Sequence, residues 1–300
     1  MTAGGAGDGA SAPARVPLSG MWCMALAVLC FSLMAVCVKL LGQGMPAHEK
    51  IFVRTAVTIP VLLWMLRGSG LSPLGNNRRL LLARGALGFV GMLAYFASLA
   101  ALPLGNAILL TGCSPIFAAL FAQRYLGERA GRAAWTASAI CLLGVALVAH
   151  PEPAAPLAAS LIAFASAIVN GATYTVVRAT ARTEHPLVVV LALVLVSLPV
   201  TAVMCAWHWV WPHGSQWWLL AGMTVASIAA QIFMTVGMQR ETASRATSMF
   251  FLGVVLAMVW GQWLGDPPLT WTVLTGAALI VGSIVGPAFV RRTVAAVSTR

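Results

Sequence analysis

The chain has 300 residues, of which 60% are hydrophobic and 8% charged, and its formal net charge is +11. Soluble domains carry about 25% charged residues, so this composition excludes a protein that presents its whole surface to water. The basic excess is not a nucleic-acid footprint either, because the arginines fall at every second connection between apolar runs, the positive-inside pattern of an inserted chain.

Residues 1–19 are rich in Gly, Ala and Pro with one arginine, Arg15, and read as a disordered cytoplasmic tail. The apolar stretch that follows is too long for a signal-peptide core and stays as a span. A helix crossing a hydrocarbon layer about 30 Å thick needs roughly 20 apolar residues, because lipid offers its backbone no hydrogen bonds. Ten spans are expected, over Met21–Leu41, Ile51–Leu66, Leu80–Ala101, Leu104–Ala122, Ala133–Ala149, Leu157–Val177, Leu187–Trp207, Trp217–Gly237, Arg245–Leu264 and Trp271–Val290. The turn at Leu102, Pro103, Leu104 and Gly105 is so short that spans three and four form an antiparallel hairpin.

With both termini in the cytoplasm, Arg15 and fourteen further arginines gather on that side and only Lys39, Lys50 and Arg54 lie outside, a split of 15 to 3. Trp207, Trp209, Trp211, Trp217, Trp218, Trp263 and Trp271 cluster at the outer boundary as an interfacial belt would. The six cysteines, Cys23, Cys30, Cys37, Cys113, Cys141 and Cys205, all lie inside apolar runs and contain no CxxC pair, which argues against a disulfide framework or a zinc site. No cofactor is expected.

The two halves share a pattern. Leu126, Gly127 and Glu128 at the end of span four recur as Leu264, Gly265 and Asp266 at the end of span nine, 138 residues later. The same offset sends Gly144 onto Gly282 and brings Pro60 to within one residue of Pro199. Five spans is an odd number, so the second half enters the membrane from the opposite side. The fold class is therefore all-α integral membrane, ten transmembrane helices as two inverted five-helix repeats, 20–150 and 157–290, with a cytoplasmic tail at 291–300. Inverted repeats are the architecture of alternating-access carriers.

Glu49 and Arg54 at the start of span two, Arg84 to Gly88 entering span three, Leu104, Gly105, Asn106 and Ala107 running to Ser114 and Pro115, and Leu126, Gly127, Glu128 together resemble the EamA-like carriers of the drug/metabolite transporter superfamily, over roughly Leu18 to Pro287. The second copy departs from the pattern, with Gly253 in place of Pro115 and Asp266 in place of Glu128. The resemblance implies a secondary transporter of a small metabolite, amino-acid-like, nucleoside-like or vitamin-like, and leaves the cargo open.

Arg54 and Arg84 each sit about five residues inside a span, where they either snorkel to the interface or project into a polar cavity and hold an anionic group. Glu49 precedes Arg54 by five positions, on a different helix face, so the two are not assigned as a pair. No Asp or Glu lies at the middle of any span. That absence points to a neutral, zwitterionic or anionic cargo and to facilitated diffusion or exchange, because a cationic cargo or a proton relay would call for an intramembrane carboxylate. Further wall residues are Tyr95 with Ser98, Asn106 with Ser114, Asn170 with Tyr174, and the stripe Ser227, Gln231, Thr235; helix-to-helix hydrogen bonding explains any one of these equally well.

Pro60, Pro115 and Pro199 fall inside spans and kink them. Pro115 and its counterpart Gly253 are the expected hinges, since interrupted segments at matching positions of two halves mark the site. Gly85, Gly88 and Gly91 pave one side of span three, and Gly282 with Gly286 forms a GxxxG that serves internal packing or a homodimer, so the chain is expected as a monomer or a homodimer. A membrane-embedded enzyme is the main rival: His48 and Glu49 invite comparison with HExxH, but position 52 is Phe52, and Asp266 lacks the glycine of a GxGD site. A channel is the other. The arginine and alanine load indicates a GC-rich bacterial genome and hence the inner membrane, with a small-molecule substrate and the lipid bilayer as the only partners.

Overall fold

The computed structural model describes residues 19–265, apart from 43, 68, 103, 129–130 and 150–156, together with 271, 274–276, 278–279 and 282. The described residues build helices and no strand. In chain order these are α1 (Gly20–Leu41), α2 (Ala47–Leu66), α3 (Arg78–Ala101), α4 (Leu104–Thr111), α5 (Ser114–Tyr125), α6 (Arg132–Ala149), α7 (Leu157–Ala179), α8 (Pro186–Trp207), α9 (Gln216–Arg240), α10 (Ala243–Ser248) and α11 (Leu252–Trp263). Local chemistry sets several starts: the Ser19 hydroxyl accepts from the Trp22 amide, the Asn77 side chain from the Leu80 amide, and α8 opens on Pro186, whose missing N–H costs nothing at a first turn.

Six helical stretches among the described residues are long and apolar enough to cross a membrane: α1, α3, α7, α8, α9 and the run Ala243–Trp263. α2 carries Glu49, Lys50 and Arg54, all buried, so its polar burden is turned into the protein. The tenth expected span and Gly286 of the GxxxG lie largely or wholly outside the described residues, as do the tails.

The fourth expected span is broken. α4 ends at Thr111, Gly112 and Cys113 form a turn, and α5 begins at Ser114. Pro115 therefore lies in the first turn of a new helix rather than in the interior of one, where the lack of an amide interrupts no helical bond. In the second half the matching interruption is a tight 3-10 turn at Met249–Phe251, between α10 and α11, and Gly253 sits in the first turn of α11. Pro60 and Pro199 do lie inside α2 and α8.

Burial is sorted in the opposite sense to a soluble protein. Trp22, Trp64, Leu82, Leu143, Val225 and Trp218 are exposed around the flanks, while Lys50, Arg54, Arg84, Ser166, Ser227 and Thr235 are buried. Lipid accepts the first set, and the second set must find partners inside. Of the tryptophans expected at one boundary, Trp207, Trp211, Trp217, Trp218, Trp263 and Trp271 are exposed. Trp209 is not: its ring packs edge-on against Phe52 of α2 at 5.9 Å.

Close crossings rest on glycine. α1 packs along α9, where a Cβ at Gly237 would run into Met24, and α3 packs on α8 and α7. At Gly85 a Cβ would meet the Val196 side chain and the Ala192 carbonyl oxygen, which is backbone and cannot turn away. Gly222, by contrast, has only the Cys37 sulfur at 3.6 Å, an ordinary contact. Gly85→Ala is expected to lower the thermal midpoint of the purified protein by the equivalent of about 1–3 kcal/mol of overpacking, with Gly222→Ala near wild type; equal midpoints for the two variants would remove Gly85 from the α3–α8 contact.

Candidate functional site

At the centre of the bundle lies a cavity with about 130 Å³ open to the centres of water-sized molecules. One such centre needs about 10–15 Å³, so the space equals roughly ten waters, the scale of a small metabolite. Its walls come from α1, α2, α3, α7 and α9 and from the two broken spans.

Arg54 of α2 and Arg84 of α3 both line it, and both are buried, with relative exposures of 2% and 1%. Neither snorkels to an interface. An Nη of Arg54 donates to the Ser227 hydroxyl at 2.8 Å and approaches the Met92 sulfur at 2.8 Å; an Nη of Arg84 donates to the Gln231 side-chain oxygen at 2.8 Å. Ser227 and Gln231 are one helical turn apart on α9, and Thr235, the third member of that stripe, turns its hydroxyl back to the Gln231 carbonyl. The Nε atoms of both arginines are buried without a hydrogen-bond partner.

Room for these groups is made by absent side chains on α3. A Cβ at Gly88 would collide with the Arg84 guanidinium, and one at Gly91 with the Asn170 side-chain oxygen. The expected glycine pavement is thus a recess for a cation and an amide as much as a helix contact.

Tyr95, Ser114, Asn170, Tyr174 and Gln231 also line the cavity, as does Gly253. Asn106 lies on α4, but its side chain is outside the described part of the structure. Pro115 is not among the lining residues; the preceding Ser114 is. Ser98 is buried and donates to the Tyr95 carbonyl of its own helix, so it forms no wall. At the end of the cavity near the breaks, the Tyr174 and Phe250 rings stack with centroids 4.8 Å apart and planes 20° apart, and Phe31 leans on Phe250 at 6.2 Å.

Sequence reasoning missed Ser32, Phe31, Thr111, Met92 and Phe250, all of which line the cavity. Ser32 receives the Trp260 indole N–H at 3.2 Å and is a lone hydroxyl in the middle of an apolar span, a signal that was present. Phe250 stands 138 residues after Gly112, so the repeat frame would have marked it as the partner of the first break.

The acidic residues that the structure describes stay away from the cavity. The four among the described residues all work at helix ends: Glu49 accepts from the Val210 amide at 2.8 Å, Glu184 from the Asn76 and Asn77 amides, Glu241 pairs with Arg245 at 3.1 Å, and Glu128 pairs with Arg178 at 2.7 Å while accepting from the Ala243 amide at 2.9 Å. Glu49 ties the segment after α8 across the start of α2 rather than pairing with Arg54.

An apolar-flanked helical bundle around a cavity lined by two buried arginines defines a multi-pass membrane protein. The chain belongs to the EamA-like transporter family, whose model matches residues 18–149 and again 157–287. It is 27% identical over 270 residues to the pseudopaline exporter CntI of Pseudomonas aeruginosa, covering 89% of this chain and 95% of that one. It is 30% identical over 281 residues to a riboflavin transporter of Rhizobium johnstonii, covering 90% and 91% respectively. A crystal structure 20% identical in sequence superposes with a TM-score of 0.76 over 92% of this chain and 98% of that one, which shows the shared fold.

Gly88→Ala should force the Arg84 guanidinium off Gln231 and leave both groups unpartnered, a loss of about 1–3 kcal/mol read as a lower thermal midpoint. Arg84→Leu in the Gly88→Ala background should cost much less than the sum of the two single changes, because the cation that suffers from the methyl is gone. Additive losses would separate Gly88 from Arg84.

Proposed function

We propose that the chain is a ten-span secondary carrier of a small neutral, zwitterionic or anionic metabolite, working by alternating access between two inverted five-helix repeats in a bacterial inner membrane, with both termini cytoplasmic. The observation that carries this reading is the central cavity, walled jointly by both halves and reached by both broken spans. Flexing at Gly112–Pro115 and at Met249–Gly253 would open it to one side or the other.

Packing supports the two-fold relation. Exchanging the halves turns the α1–α9 contact into the α7–α3 contact and returns the α2–α8 contact to itself, and all three are present. The breaks correspond too, since Gly112 and Cys113 shifted by 138 fall on Phe250 and Phe251. So do two ties at the ends of first and third helices. Lys39 near the end of α1 donates to the Leu102 carbonyl after α3 at 2.6 Å, and Arg178 near the end of α7 donates to the Gln239 carbonyl near the end of α9 at 2.9 Å. The separate family matches to 18–149 and 157–287 support the same frame. The split of lysine and arginine, 15 to 3, supports the orientation. The relatives' names, an exporter and a transporter, favour transport over membrane-embedded catalysis.

The binding roles of Arg54, Arg84, Tyr95, Asn106, Ser114, Asn170, Tyr174 and Gln231, and the hinge roles of Pro115 and Gly253, belong to this proposal. In proteoliposomes the protein should show saturable flux and counterflow when screened against a metabolite panel. Gln231→Leu, which keeps the size but removes the partner of Arg84, should reduce that flux by at least about tenfold, the equivalent of one lost charge-assisted hydrogen bond, without lowering expression. Flux that rises linearly without saturation would identify a channel, and wild-type flux in Gln231→Leu would remove that residue from the site.

A further inference from the structure

Among the described residues, the two arginines in the cavity have no acid to answer them. Each spends one Nη–H on a neutral partner, the Ser227 hydroxyl or the Gln231 amide oxygen, and each retains a buried Nε–H without a partner. Among the described residues lining the cavity none is acidic, and the ion pairs among the described residues involve Arg178 and Arg245 instead. Their anchors on α9, Ser227 and Gln231, are four residues apart, about 6 Å of helix rise, and both arginines line the same cavity. A pair of desolvated like charges is tolerated where a ligand brings the opposite charge, and a guanidinium offers paired donors that match the oxygens of a carboxylate or phosphate.

We propose that the cavity takes an organic dianion of metabolite size, a dicarboxylate or a phosphate monoester, with its negative charges between Arg54 and Arg84. One negative charge would leave the pair half compensated; two balance it. The neutral donors of the remaining walls, Tyr95, Asn170 and Ser114, orient the rest of the molecule, and the Tyr174–Phe250 stack gives it a flat aromatic wall. This narrows the cargo class of the carrier reading and rests on that reading only for the claim that what binds is also moved.

The test uses the purified full chain in detergent and chloride-free buffer, with the thermal midpoint followed against inorganic phosphate, succinate, glutarate, glycerol phosphate, lactate and uridine. The dianions are expected to raise the midpoint saturably, with lactate and uridine at the same concentrations producing little shift; succinate against glycerol phosphate tells a dicarboxylate site from a phosphate site. Arg54→Gln and Arg84→Gln should each weaken dianion binding at least about tenfold, and Arg54→Lys, which keeps the charge but not the fork, by less. Monodisperse elution of all three establishes that they fold. Dianions no better than lactate, Gln variants that bind like wild type, or occupancy by chloride that dianions do not displace would each overturn the inference. Flux separates it from the carrier reading: saturable counterflow of a neutral or cationic solute, unchanged by Arg54→Gln, keeps the carrier and removes the dianion. Dianion binding with no exchange in liposomes keeps the site and removes the carrier.

Discussion

Two guanidiniums held in the low-dielectric centre of a helical bundle govern the surrounding structure. Desolvation costs each of them several kcal/mol, and their like charges on one cavity add to that cost. One hydrogen bond from a neutral partner returns only about 1.5–3 kcal/mol to each cation. The neighbouring helices are shaped around that deficit. Gly88 and Gly91 leave out the side chains that would fill the recess, α9 presents Ser227 and Gln231 one turn apart, and the acids of the chain that the structure describes are kept at helix ends, where they hold amides and other arginines.

The broken spans serve the same cavity from the other side. A continuous α-helix satisfies its own backbone and shows lipid or neighbours only side chains, so it offers a solute nothing from the main chain. Interruption at Gly112–Cys113 and at Met249–Phe251 brings chain ends and the Ser114 and Phe250 side chains to the cavity wall. The two breaks are reached differently. The first uses a glycine followed by a proline that cannot continue the preceding helix; the second has no proline and passes through a 3-10 turn carrying two phenylalanines. A tight turn with apolar side chains is stiffened by packing, here by the stack on Tyr174 and the contact with Phe31. Under the two-fold reading, the two hinges are therefore not mechanically equal.

Membrane spans are written plainly in sequence, because lipid imposes the same demand on every residue of a crossing helix. Arg54, Arg84, Asn170, Tyr174 and Gln231 stood out for a related reason: a polar group inside an apolar run must face something other than lipid, and these face one cavity. What each of them bonds was not legible. Ser227 is 173 residues from Arg54 and Gln231 is 147 from Arg84, and no local rule spans such distances. Phe250 carries no local mark of a cavity wall, being a phenylalanine in an apolar run, and only the 138-residue frame points to it. Pro115 was legible as a break but not as the first turn of α5, because the interruption belongs to Gly112 and Cys113 just before it. Glu49 was readable as unpaired with Arg54, yet its hold on the Val210 amide depends on how the segment after α8 returns.

The two halves agree in frame and differ in chemistry. Shifting Arg54 and Arg84 by 138 lands on Ala192 and Gly222, so the second half has no cation at either place. Gly222 instead lets α9 approach the Cys37 sulfur of α1. A strictly symmetrical carrier would present its cargo with equivalent ends; this one sets both positive charges on α2 and α3 and a stacked aromatic pair on α7 and the second break. Under the carrier reading, the charge would stay with the first half as the halves rock. Under the two-fold reading, symmetry of the backbone would supply the two access states, and divergence of the side chains would decide what is carried between them.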